Sequence, residues 1–213
     1  MPGTPAVHAF DLTGDELCLD FANTVEDRPR RRMEYLRSWA DLVDWGLQAG
    51  PLSRSQALAL RRTAGRDPAA AERAFQEALA LRETIFRVFE ATAAGHAPAG
   101  EDLAALNEAF AAAMRHARVE RKGGAFAWGW QDGEPSFGRL LWPVARSAAE
   151  LLVAPACGDV RQCASDTCSW LFLDGSPRRM RRWCSMKTCG NRAKVRRFYA
   201  RQRASARRKP TSR

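Results

Sequence analysis

The chain of 213 residues has no apolar run approaching the ~20 residues that cross a bilayer, which excludes a helical membrane protein. Its first residues carry no basic stretch ahead of an apolar one, and Asp11, Asp15 and Glu16 interrupt them. A secretory signal is therefore not expected, and a cytoplasmic location without a membrane partner is. There is no phosphate-binding glycine loop, no nucleophile elbow and no His-x-Glu metal pattern. The three histidines (His8, His96 and His116) show no ligand spacing, so no enzyme is expected. Lysine is scarce: four of the 34 basic residues, the rest being arginine. Acidic residues stop altogether after Asp174, leaving 39 positions without one.

That last absence divides the chain. Residues 161–213 hold 16 Lys and Arg against two acids, a net of +14, whereas residues 1–160 hold 18 against 22, a net of −4. A small, one-sign module joined to a mildly acidic body attracts polyanions, nucleic acid foremost. Arginine richness from a GC-rich genome would act on both parts, yet only one is unbalanced. The expected division is a body over 1–153, a linker over 154–160 and a basic module over 161–213.

The body reads mainly as α-helix. Leu17, Phe21 and Val25 recur at helical spacing, beside a polar stripe of Asp20, Asn23, Thr24 and Asp27. Ser38-x-x-Asp41 and Ser53-x-x-Gln56 look like helix starts, and Asp67-Pro68 places a capping acid before a proline at the first helical position. A long helix runs through Leu79, Arg82, Ile85 and Phe89 towards Gly95, and another covers 101–117. Val119 to Trp130, around Lys122-Gly123-Gly124, reads as a short β-hairpin. After a turn at Gln131–Ser136, a last helix covers Pro143–Val153. Asp20, Asn23, Thr24 and Arg28 near the end of one helix, with Arg82 on another, could line a small-molecule ligand pocket. A solvated helix face is the competing reading.

The basic module contains Cys163-x4-Cys168 and, after fifteen residues, Cys184-x4-Cys189. Two short cysteine pairs supply the two edges of a tetrahedron, the arrangement zinc takes in closed structural sites. Four thiolates leave no open position for catalysis, so one structural Zn2+ is expected. Zinc also answers a stability problem, because about 50 residues with this much charge bury too little apolar area alone. Cys18 falls in an apolar stripe, and Cys157 is a lower-ranked alternative to Cys163. Ser169–Asp174 reads as a strand, with Arg178–Cys184 returning as a second. A helix starts at Gly190-Asn191, expected to dock by Val195, Phe198, Tyr199 and Gln202 and to present its basic residues to solvent. Knuckle, hairpin, knuckle and helix suggest a treble-clef-like finger. Candidate nucleic-acid contacts are Arg178, Arg179, Arg181, Arg182, Lys187, Arg192, Lys194, Arg196, Arg197 and Arg201, mostly to phosphate. Arg192 has a second reading, as a donor to a zinc thiolate. Asp174 is expected to pair internally with Arg181 or Arg182, and Trp170 and Trp183 to be core residues rather than base-stacking ones.

Cys189-Gly190-Asn191-Arg192, with Cys-Ser-Trp-Leu-Phe-Leu-Asp and Arg-Arg-Trp-Cys-Ser-Met before it, resembles the CGNR zinc finger. Leu17–Val25, Trp39-Ala40-Asp41-Leu42 and Leu81-Arg82-Glu83 resemble the ABATE domain that precedes this finger. Thr13-Gly14-Asp15 departs from the pattern, which has a second glycine beside Gly14. The resemblance implies a bacterial transcription regulator, often described as stress-induced, whose finger binds DNA. A zinc-binding protein of RNA or the ribosome is the alternative from the same charge. A small-molecule enzyme carrying a nucleic-acid-targeting finger is a third class. One small finger covers few bases, so a homodimer is also left open.

Overall fold

The computed structural model describes residues 9–28, 30–131 and 136–207, and side chains as far as 203. Most of the Gln131–Ser136 turn lies outside the described residues. Five longer helices build the body: α2 (Trp39–Ala49), α3 (Arg54–Arg66), α4 (Pro68–Ala93), α5 (Gly100–Met114) and α6 (Leu141–Val153), behind a short α1 (Leu17–Ala22). No helix among the described residues is long and apolar enough to cross a membrane.

Local chemistry fixes the helix ends. The Ser38 side chain accepts from the Asp41 amide, and Gly50 ends α2 in the left-handed region at φ 98°. Ser53 and Gln56 cap one another reciprocally, and Asp67 accepts from the Ala70 amide ahead of Pro68. Pro143 lies in the first turn of α6, where its missing N–H costs nothing. The long α4 is the central mast. Its Phe75, Ala78, Ile85, Val88 and Phe89 share one core with Phe21 of α1, Leu42 and Trp45 of α2, Leu106 of α5 and Val144 and Ala148 of α6.

Strands β3 (Ala117–Lys122) and β4 (Ala125–Trp130) pair antiparallel around Gly123-Gly124, both at positive φ, as a two-residue hairpin turn demands. The expected strand over Ser169–Asp174 forms in part, but its partner and one further ladder were not legible. Val25, expected on the first helix, lies instead in β1 (Val25–Glu26), paired with β2 (Met33–Glu34), because α1 stops at Ala22. In the C-terminal module, β6 (Leu171–Leu173) pairs with β5 (Val160–Gln162), which precedes the first cysteine. The expected return strand over Arg178–Cys184 does not form. Asp174 is fully buried there and accepts from the Ser176 amide and hydroxyl and, at 2.9 Å, from the Arg181 amide. Those bonds fold the segment into a turn. They outweigh the burial that pushes the Asp174 carboxyl up, and hold it below the ordinary range.

The stretch 154–160 forms a 3-10 turn (Pro155–Asp159) and the start of β5, with Val160 in the body's core. A π-helical turn (Met186–Gly190) leads into α7 (Asn191–Arg207). The aromatic face of α7 does not dock: Val195 is 47% exposed, and Phe198 and Tyr199 are 57% exposed. The first turns of α7 meet the finger through Arg192 and Arg196 instead, and the aromatic residues stay exposed.

Candidate functional site

The four cysteines are brought together. Their sulfurs all lie within 4.8 Å of one another and all four residues are buried. Cys168 and Cys184 are 3.8 Å apart at sulfur, and Cys184 and Cys189 3.7 Å. A tetrahedron with Zn–S bonds of about 2.3 Å has edges of about 3.8 Å, so the donor set fits one zinc ion in size, number and chemistry. The four cysteines hold this single structural zinc. Each knuckle has a local cause. Cys163 N–H donates to Trp170 O at 2.8 Å, closing the first across the β5–β6 ladder. In the second, Gly190 lets the Met186 side chain and Trp183 lie close: a Cβ there would stand 2.7 Å from the Met186 sulfur and 3.2 Å from Trp183. Cys18 is fully buried in the body, where desolvation pushes its thiol up to about 12, and Cys157 is half-buried at the 3-10 turn.

Four thiolates around one Zn2+ leave net negative charge, and Arg192 answers it. Its Nη2 donates to Cys189 Sγ at 3.4 Å and to Glu26 Oε1 at 3.0 Å. The ligand set is thereby tied to the body through β1, and a partner of this kind orients the ligand it touches.

The finger is keyed to the body elsewhere too. Asn23 Nδ2 donates to Leu171 O at 2.8 Å while Leu171 N–H donates to Asn23 Oδ1 at 2.9 Å, all of it buried. Trp170 Nε1 donates to Val25 O at 3.0 Å, and Leu173 N–H to Gly14 O at 2.9 Å. Trp170 is thus a core residue of the joint, and Trp183 is half-buried against the cysteines. Beside Gly14, Asp15 takes φ 64°, the left-handed conformation that a second glycine would adopt freely and Asp tolerates. Its carboxylate pairs with Arg181.

The ten basic candidates divide. Arg179 pairs with Asp159 and donates to Asp174 O. Arg181 is spent on Asp15, Thr13 O, Trp183 O and Cys184 O, with its guanidinium 4.4 Å above the Phe172 ring. Arg192 is engaged as above, and Arg196 pairs with Asp166. Arg178, Arg182, Lys187, Lys194, Arg197 and Arg201 are exposed and make no ion pair among the described residues. Lys194, Arg197 and Arg201 form one stripe of α7.

The five body candidates also divide. Asp20, Asn23 and Thr24 line a cavity with Phe10, Asp11, Tyr35 and Trp170. Arg28 and Arg82 stand apart from it. Arg82 is fully buried, with its fork on both Glu34 oxygens at 2.6 and 2.7 Å and its Nε on Glu83 at 3.0 Å. Arg28 donates to Glu83 and to the carbonyls of Ala22 and Val25. These two arginines pin the β1–β2 hairpin onto α4. Sequence reasoning missed Glu26, Glu34, Glu83 and Tyr35, each of which acts by a contact far away in the chain.

A sequence model of the ABATE family, described as "Putative stress-induced transcription regulator", matches residues 15–155. The chain belongs to the ABATE family. The CGNR zinc finger matches residues 160–202, and so takes in all four ligands, Arg192 and most of α7. Comparison with the curated proteins found no match. In this ABATE protein, then, the family's two matched regions meet between β5 and α6, and the Asn23, Trp170 and Arg192 contacts join them.

Proposed function

We propose that this protein is a DNA-binding transcription regulator whose zinc-ordered finger grips the phosphate backbone, while the body carries a signal to it. The observation that supports this reading most is the division among the arginines. Arg179, Arg181, Arg192 and Arg196 are matched by acids and carbonyls, whereas six basic side chains around the finger and along α7 are exposed with no ion pair among the described residues. An unpaired cation array held on a rigid metal-closed module is what a polyanion displaces counterions from. The body's share is a ligand-controlled joint: a cavity bordered by α1 and by Trp170 lies where the body meets the finger. On this reading the protein works by binding rather than turnover.

The test is the salt dependence of affinity for operator-length duplex. Six phosphate contacts give a log–log slope of about −5, hence roughly a 10³-fold loss of affinity between 50 and 200 mM salt. Replacing Arg197 or Arg201 by Ala lowers the slope by about 0.9 each. Replacing Arg179 or Arg196, whose charges are already matched, leaves it unchanged. A flat response, or equal effects from both groups, overturns the reading.

One observation favours a second reading. Phe198 and Tyr199 stand exposed between basic stripes on α7, an arrangement that stacks on unpaired bases. Competition of duplex DNA against structured and single-stranded RNA at equal salt separates the two; preferential RNA binding replaces the regulator with an RNA-associated protein.

A further inference from the structure

The cavity at the joint has a definite chemistry. Three aromatic residues, Phe10, Tyr35 and Trp170, form its walls, and the Tyr35 and Trp170 rings stand edge to face at 6.5 Å between centroids. Two carboxylates, Asp11 and Asp20, border it, and among the described residues no basic side chain does. The other polar groups at the wall are already committed. Asn23 is locked onto Leu171, Thr24 Oγ1 donates to Phe21 O and accepts from Arg82, and the Tyr35 hydroxyl donates to Glu26 at 2.8 Å. Asp20 accepts from the Gly14 amide at 2.8 Å but has no ion-pair partner among the described residues, and burial pushes its carboxyl up to about 6.

Rings attract cations to their faces, and a partly buried carboxylate such as Asp20 rewards one more than a carboxylate in bulk water, with the exposed Asp11 adding its charge at the rim. The volume, about 110 Å³, takes only a group of a few heavy atoms. A nucleotide or flavin, which needs about 300 Å³ or more, is therefore too large. A compact cationic head group is not.

We infer that this cavity is a binding site for a small organic ammonium ion, held between the three rings and the carboxylates of Asp11 and Asp20. The inference deepens the sensing role proposed above and names its ligand class. Its position gives it consequence, because Trp170 is two residues from the zinc ligand Cys168 and is bonded to Val25 of the body. A cation on the Trp170 ring therefore touches the finger and the body at once.

The experiment uses the full-length, zinc-loaded protein, titrated calorimetrically and by tryptophan fluorescence. The probes are tetramethylammonium, choline and butylammonium chlorides. The controls are 3,3-dimethylbutan-1-ol, an uncharged shape-mimic of choline, and sodium chloride at matched ionic strength. At least one ammonium ion is expected to bind saturably, and the alcohol about tenfold or more weaker. Asp11→Asn and Asp20→Asn should each weaken binding about tenfold; Asp11 is exposed, so its replacement leaves folding intact. Equal binding of the alcohol, indifference to both substitutions, or no saturable binding of any of the three ions overturns the site. Charge-dependent binding that leaves duplex affinity unchanged upholds the site and defeats only the sensing role. The two failures are thereby distinguishable.

Discussion

The paired bonds between Asn23 and Leu171 make a demanding test of how finger and body are joined. Asn23 is 3% exposed, and it satisfies both backbone groups of Leu171, the first residue of β6. Asn23→Ala leaves a buried N–H and a buried C=O without partners, at about 1–3 kcal/mol each, so the loss should be on the order of 2–6 kcal/mol. That is a large share of a typical domain's stability of roughly 5–15 kcal/mol. Asn23→Asp is sharper, because shape is unchanged. The acceptor facing Leu171 N–H survives, but an oxygen replaces the donor facing Leu171 O. When ionised, the new carboxylate is buried against a carbonyl oxygen; when protonated, its O–H restores the donor. Its folded-state pKa must then lie above the unfolded value of about 3.9. The penalty is full above the folded pKa and fades as pH falls towards the unfolded one. Urea unfolding with zinc kept saturating, followed by tryptophan fluorescence at about pH 8 and about pH 6, reads this directly. A loss under about 0.5 kcal/mol in Asn23→Ala, or a loss in Asn23→Asp that does not shrink on acidification, would refute the clamp.

Further outcomes are expected. The purified protein should carry one zinc per chain, and Cys184→Ser should lose it; unchanged metal content in that variant would remove the tetrathiolate site. Arg192→Met should weaken zinc retention against a chelator by about 10–100-fold, with Arg192→Lys in between, because one ammonium cannot serve both Glu26 and Cys189 so well. Equal retention in all three proteins would show Arg192 idle at the metal. Asp20→Asn should stabilise the protein, since burial first and then Asp15 and Glu16 oppose ionisation, against the bonds from the Gly14 and Thr13 amides. A folded-state value of about 6 against an ordinary 3.8 costs at most about 3 kcal/mol, and about 1–3 after discounting for partial exposure. The raised pKa means that this cost is full above about pH 6 and absent below about pH 4, so the gain should fall by roughly half between about pH 8 and about pH 5. A gain independent of pH would point to packing instead.

What was legible and what was not follow one physical line. Ser38, Ser53 with Gln56, Asp67-Pro68 and Gly123-Gly124 act on backbone within a few residues, and helix starts and hairpin followed from them. The cysteine spacing is equally local, since each pair spans one knuckle. The β1–β2 ladder, the β5–β6 partner and the Arg82–Glu34 fork join residues far apart in sequence, and nothing in composition or period announces them. The polar stripe of Asp20, Asn23 and Thr24 was visible, but its meaning was mixed: one member grips the finger, one accepts from a buried arginine, and Asp20 borders the cavity. The aromatic face of α7 misled for a related reason. Helical periodicity shows which residues share a face, not whether another element arrives to cover it.

The segments that carried the resemblance have a physical explanation in the joint itself. Leu17–Val25 supplies the Asn23 amide and the Val25 carbonyl; Ser169–Asp174 supplies the Leu171 backbone and the Trp170 indole that meet them. Arg192, the last residue of the Cys-Gly-Asn-Arg stretch, meets Glu26 on the next residue of β1. Motifs that look like separate body and finger signatures are thus two sides of one contact, sealed by the zinc centre on one flank and bordered by the aromatic cavity on the other. Trp170 belongs at once to the cavity wall, to the bond with Val25 and to the packing around the cysteines, and the proposed sensing role rests on that. Moving its ring for a ligand must strain either the Val25 bond or the first knuckle. On the sensing role proposed above, that strain is how an occupied cavity would reach the finger's six open cations.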